Sequence, residues 1–212
     1  MVKNPVAFWC TCASSFRYIG GFAADYYVPA FFLANYPGSQ SSFGFHSITT
    51  IAIGGFLSSL LGGIFSDKLG HKNPKNYSRI CIFGSVIAWP FMTACTLVTN
   101  NFNICLACLA MRKLIGDNFW AANLAMMRES TPKGKYANVI SAYQFFNFTA
   151  GAVSTVMVGS LVNLLKINPV KNPVGIGRIM ALMTTIGYLG SILSWIRAGR
   201  SFKKYKESQL IA

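Results

Sequence analysis

Residues 55–75 read GFLSSLLGGIFSDKLGHKNPK, and this stretch decides the fold. It is apolar for several helical turns, with small residues in step at Gly54, Ser58, Gly62 and Ser66. A second row holds Gly55, Ser59 and Gly63, and Asp67 comes next in it. Small residues four apart let two helices approach closely inside lipid. The stripe ends in a carboxylate and then at once in a basic turn, Lys68, His71, Lys72 and Lys75. Such an ending calls for a specific partner on another helix.

The surrounding composition says which solvent these helices meet. Of 212 residues, 53% are hydrophobic and only 11% are charged. That is under half the roughly 25% charge of soluble domains. Long runs free of Lys, Arg, Asp and Glu follow one another, as in an integral membrane protein. The formal charge of +14 comes from 19 basic residues against five acids. In a soluble chain this would point to nucleic acid. Here the basic residues cluster at the ends of apolar runs, which makes them orientation signals and excludes a nucleic-acid partner.

The six cysteines lie within apolar runs and read as packing residues, not as a disulfide framework or a metal set. No hydrolase triad, phosphate loop or metal cluster appears, and His46 and His71 stand alone, so neither an enzyme nor a cofactor is expected. The first apolar run continues through Arg17 to about Phe32. It reads as an uncleaved span, with a cleaved leader as the alternative.

The chain reads as an all-α membrane protein, a single six-helix bundle over 1–212. Its spans are drawn at Val6–Ala34, Phe45–Ser66, Ser78–Val98, Asn103–Met127, Tyr136–Asn163 and Ile176–Ile196, each near or above the ~20 residues a bilayer needs. The second and fourth loops and the tail are rich in Lys and Arg, whereas the first and third carry none. The positive-inside rule then puts both termini in the cytoplasm.

Charges inside the spans are the sharpest signal, because each costs about 2.5–3.5 kcal/mol on insertion scales. They are Arg17 and Asp25 in the first span, and Arg112, Lys113 and Asp117 in the fourth. At 1.5 Å per residue, Arg17 lies about 16 Å and Arg112 about 14 Å from their membrane edges, near the midplane. Lys113 and Asp117 are four apart and can pair on one helical face. Arg17 and Arg112 have no acid at helical spacing. Two readings follow: a cavity that attracts an anion, or arginines satisfied by carbonyls or by an acid from another helix. Asp25 and Asp117 are the carboxylates available for proton coupling. Tyr26, Gln144 and Asn147 could line the same cavity and contact solute.

The segment Gly63-Ile-Phe-Ser-Asp67-Lys68-Leu-Gly70-His71-Lys72 resembles the signature loop of the major facilitator superfamily, Gly-x-x-x-Asp-Arg/Lys-x-Gly-Arg/His-Arg/Lys. Arg112-Lys-Leu-Ile-Gly116 is similar to that family's Arg-x-x-x-Gly. Glu129-Ser-Thr-Pro132-Lys-Gly134 is similar to its Glu-x-x-Pro…Arg-Gly exit loop. The resemblance implies one six-span half of a twelve-span fold, itself a 3+3 inverted repeat. It looks most like a C-terminal half, loosely of the spinster-like branch. It also implies a second six-helix half as partner, from the same gene or another copy.

By the same resemblance, Gly63, Asp67, Lys68, Gly70, His71, Lys72 and Glu129 form a conformational latch. Asp67 would cap a helix of the opposite half, and His71 or Lys72 would pair with Glu129. The function expected is transport of a small organic, anionic solute by alternating access, as a symporter or antiporter coupled to H+ or Na+. The alternative is a non-transporting six-span subunit or an inactive remnant.

Overall fold

The computed structural model describes residues 4–70, 72–98, 100–168 and 172–211. In chain order the helices are α1 (Pro5–Asn35), α2 (Gln40–Thr49), a π-helical turn (Thr50–Gly54), α3 (Gly55–Gly70), α4 (Lys75–Leu97), α5 (Phe102–Gly116), α6 (Phe119–Ser130), α7 (Tyr136–Leu164) and α8 (Pro173–Ile211). Among the described residues, four stretches are long and apolar enough to cross a membrane: Gln40–Gly70, Lys75–Leu97, Tyr136–Leu164 and Pro173–Leu210. The first of these joins α2, the π turn and α3 into one rod.

Helix α1 is the central post. Its N-terminus is fixed by Asn4, whose side chain accepts from Val6 N at 3.1 Å and Ala7 N at 3.2 Å, with Pro5 at the first helical position. The Asn4 amide also donates to Ser130 O at 2.9 Å, tying the start of α1 to the end of α6. On α8, a side chain at Gly187 would run into the backbone of Gly20 and Phe16, so the two helices meet backbone to backbone.

The small-residue stripe serves the contact that its spacing predicts. Gly54, Ser58, Gly62, Ser66 and Gly70 are buried. The companion row is not: Ser59 and Asp67 are exposed, and Gly55 and Gly63 are half-buried. The stripe packs on the α5–α6 junction, where a Cβ at Gly62 would strike the backbone of Asn118.

That junction departs from the sequence reading. The fourth predicted span, Asn103–Met127, is broken into α5 of 15 residues and α6 of 12, each shorter than a bilayer crossing. Asp117 leaves helical geometry, with φ −96 and ψ 4. Asn118 is wedged between Gly62 of α3 and Gly84 of α4, positions with no side chain to exclude it. The break is therefore held by packing from both sides.

Two apolar clusters fill the bundle. One gathers Trp195, Phe202, Phe119, Met126 and Tyr143. The other gathers Phe31, Phe32, Met92, Met180 and Met183. Between helices of the first cluster lies a buried polar knot. Asn123 of α6 donates to Ser14 Oγ at 2.9 Å and accepts from Trp195 Nε1 at 3.0 Å, while Tyr143 OH donates to Ser14 Oγ at 3.0 Å. It ties α1, α6, α7 and α8 with each group satisfied, as burial requires.

Candidate functional site

The broken α5–α6 junction frees a carbonyl, and α1 answers it. Gly116 O lies at the negative end of α5, where the usual amide four residues on is lost. Arg17 Nη2 donates to it at 3.2 Å, and the guanidinium stacks over the Tyr188 ring of α8 at 4.0 Å. Arg17 is 3% exposed. The second reading of Arg17, satisfaction by a carbonyl, is thus the contact found, although its Nε stays buried and unpartnered.

Two turns along α1, Asp25 faces α5. It receives Arg112 Nη1 at 2.5 Å on one oxygen and Lys113 Nζ at 2.9 Å on the other. Adjacent residues on a helix point about 100° apart, so one carboxylate can reach both only from between them. Arg112 is fully buried, whereas the Asp25 side chain remains 40% exposed on the open face of α1. This corrects the expected Lys113–Asp117 pair: the break rotates Asp117 away and Lys113 turns to Asp25. Asp117 instead receives no cation within ion-pair distance among the described residues, and its backbone N–H donates to Ser58 Oγ at 3.1 Å.

Gly21 sits between the two arginines. A methyl built there would lie 3.4 Å from Arg17 Nη1 and 3.5 Å from Arg112 Nη2, so the guanidiniums are neighbours with only a glycine between them. Around them is a cavity of about 170 Å³, lined by Arg17, Asp25, Arg112, Lys113, Asp117 and Trp120 among others. Three cations face two acids, leaving one positive charge unmatched. The volume is below the ~300 Å³ of common ligand pockets.

The other predicted contacts lie elsewhere. Tyr26 is 68% exposed and does not line this cavity. Asn147 is buried against α1, accepting from Ser15 Oγ at 3.1 Å. Gln144, one turn earlier on α7, is half-buried with its Oε1 unpartnered. Sequence reasoning missed Tyr188. Its spacing from Arg17 carries no signal, because only the Gly20–Gly187 crossing brings them together.

At the α3 end, the signature stretch behaves differently from expectation. Glu129 is held by Lys206 at 2.6 Å and by the Tyr77 hydroxyl at 3.1 Å. The expected partner Lys72 is exposed, and His71 lies outside the described residues. The reason is that α8 continues as a helix past its apolar part, and Lys206 lies on the side facing α6. Gly70 is needed here, since a Cβ would run into the Tyr77 ring that aims its hydroxyl at Glu129. Gly134, with φ +88, supplies the left-handed turn after Pro132. Asp67 and Lys68 are exposed, and Gly63 has only Ala121 Cβ within contact of a built methyl. Asp67, Tyr77, Arg128, Glu129 and Lys133 border a cavity of about 850 Å³ at this end.

The family model described as Major Facilitator Superfamily matches residues 1–155. The chain belongs to the major facilitator superfamily. The matched region holds every charged residue of the cavity and the whole signature stretch, so the superfamily motifs and the cavity share one frame. The chain is also similar to an MFS-type efflux pump of Mycolicibacterium smegmatis (strain ATCC 700084 / mc(2)155), at 22% identity over 201 residues. That alignment covers 94% of this chain and 46% of the pump. The chain therefore spans about half the length of the curated superfamily relative it matches.

Proposed function

We propose that this chain is one six-span half, built as a 3+3 inverted repeat, of a secondary active transporter that moves a small organic anion by alternating access. The observation that carries the reading is the gathering of Arg17, Arg112 and Lys113 against only Asp25 and Asp117 in one cavity. An incoming carboxylate or phosphate competes with Asp25 for Arg112 and Lys113 and takes up the unmatched charge of Arg17. Asp25, once displaced, or Asp117 carries the coupling proton, with Na+ as the alternative ion. Tyr26, beside Asp25 on the exposed side of α1, contacts solute from the open face. Asn147 holds α7 to α1 by accepting from Ser15 Oγ, and Gln144, with its Oε1 unpartnered, is the α7 side chain left to contact solute.

The half-length match to an efflux pump and the small, open cavity favour a second six-helix half closing over this one. Asp67 and its exposed neighbours meet that half, and both termini face the cytoplasm. The test is uptake of labelled lactate, citrate and glycerol phosphate into vesicles carrying the intact transporter, both six-helix halves together. Arg17→Ala and Arg112→Ala each lower uptake of the transported anion by ~10-fold or more, the loss of one charge-assisted contact. Uptake unchanged in both variants removes these residues from the solute path.

A further inference from the structure

A second feature lies outside the charged cavity and rests on the membrane location alone. Along α1, facing α7, runs an apolar groove of about 320 Å³. Its floor is the row Phe8, Cys12, Ser15 and Ile19, and its walls are Phe16 and Phe146. Phe16 is fixed because it packs where Gly190 of α8 has no side chain. From Phe8 to Ile19 the helix rises about 16 Å, which is one leaflet of a hydrocarbon core ~30 Å thick.

The Phe8 end of the groove is marked by charge. The Phe8 ring meets Trp9 edge to face at 5.3 Å, and the Arg197 guanidinium lies over the Trp9 ring at 4.8 Å. Arg197 is the first charged residue after the uncharged run 179–196 of α8, so it sits where hydrocarbon gives way to headgroups. Arg200 and Lys204 follow on the same helical face, and all three are exposed. Among the described residues none of them has a carboxylate within ion-pair distance, whereas Lys203 is taken by Glu207 at 3.0 Å.

We infer that this groove and the Arg197 face form a binding site for one phospholipid with an anionic headgroup. One acyl chain occupies the row from Phe8 to Ile19, the phosphodiester meets Arg197, and the further negative charge of the headgroup meets Arg200 and Lys204. A ligand that is apolar for one leaflet and anionic at its end fits both halves of the site. A second copy of the chain fits poorly, because three of its five acids, Asp25, Glu129 and Glu207, are already paired.

Native mass spectrometry of the full chain tests this, in micelles holding equal amounts of phosphatidylglycerol and phosphatidylcholine with matched chains. The wild type retains one phosphatidylglycerol in ~5-fold preference or more, the factor that about 1 kcal/mol per basic residue gives. Arg197→Gln, a surface change that leaves folding intact, brings the ratio toward one, and Lys203→Gln does not. Equal retention of the two lipids by the wild type, or an unchanged preference in Arg197→Gln, overturns the site. So does a dimer that a short bis-maleimide traps through Cys12, since the groove would then hold protein.

Discussion

Arg112 Nη1 lies 2.5 Å from Asp25 Oδ1, and Lys113 Nζ takes the other oxygen at 2.9 Å, so one carboxylate joins α1 to two successive residues of α5. Removing the acid leaves two cations in a largely apolar surround. Breaking a fully buried pair costs about 3–5 kcal/mol. Asp25 is 40% exposed, so Asp25→Asn is expected to cost about 2 kcal/mol after solvent screening is allowed for. Thermal melting of the purified chain in detergent checks this, and a melting temperature equal to wild type would show the pair to be idle.

The α5–α6 break depends on two glycines that admit Asn118. Gly62→Ala puts a methyl into the Asn118 backbone, and overpacking of this kind costs about 1–3 kcal/mol. Gly63→Ala is expected to be silent, because its methyl would lie 3.9 Å from Ala121 Cβ, an ordinary contact. Comparing the two melts separates a steric role at one position from a general intolerance of the helix.

At the other end, the partner of Glu129 is open to a double-mutant cycle. Lys206→Ala and Glu129→Gln are expected to show a coupling of about 0.5–1 kcal/mol, the range of a partly exposed ion pair. Lys72→Ala with Glu129→Gln should show none. Coupling to Lys72 in place of Lys206 would restore the pairing that the signature motif implies.

The buried knot at Asn123 predicts a larger effect. Asn123→Leu leaves Trp195 Nε1 buried without its acceptor and takes from Ser14 Oγ one of its two donors, while the Tyr143–Ser14 bond persists. Each buried group that loses its partner costs about 1–3 kcal/mol. Trp195→Phe, which removes one donor, should cost less. A far-UV circular dichroism melt reports both, since it follows the helices that the knot ties together and does not depend on the Trp195 chromophore.

The sequence made the membrane class, the helix-packing stripe and the charged residues of α1 and α5 plain, because each is a local pattern of spacing or charge. Gly54, Ser58, Gly62 and Ser66 needed only a period of four to be seen as one face. What was not legible was pairing across helices. Lys113 had a same-helix acid at good spacing, and nothing local shows that Asp117 leaves the helix. The break follows from Gly62 and Gly84, far away in sequence, leaving room for Asn118. Tyr188 and Lys206 were invisible for the same reason: their partners are set by the α1–α8 crossing and by the length of α8.

The central claim is that the Arg17–Arg112 cavity takes an organic anion in competition with Asp25. Equilibrium binding of labelled lactate, citrate and glycerol phosphate to the full chain in lipid nanodiscs tests it most directly. The account predicts that one of these anions binds, that Arg112→Gln weakens it ~10-fold or more, and that Asp25→Asn tightens it by freeing two donors. Equal affinity in all three proteins, or a preference for organic cations, would contradict it.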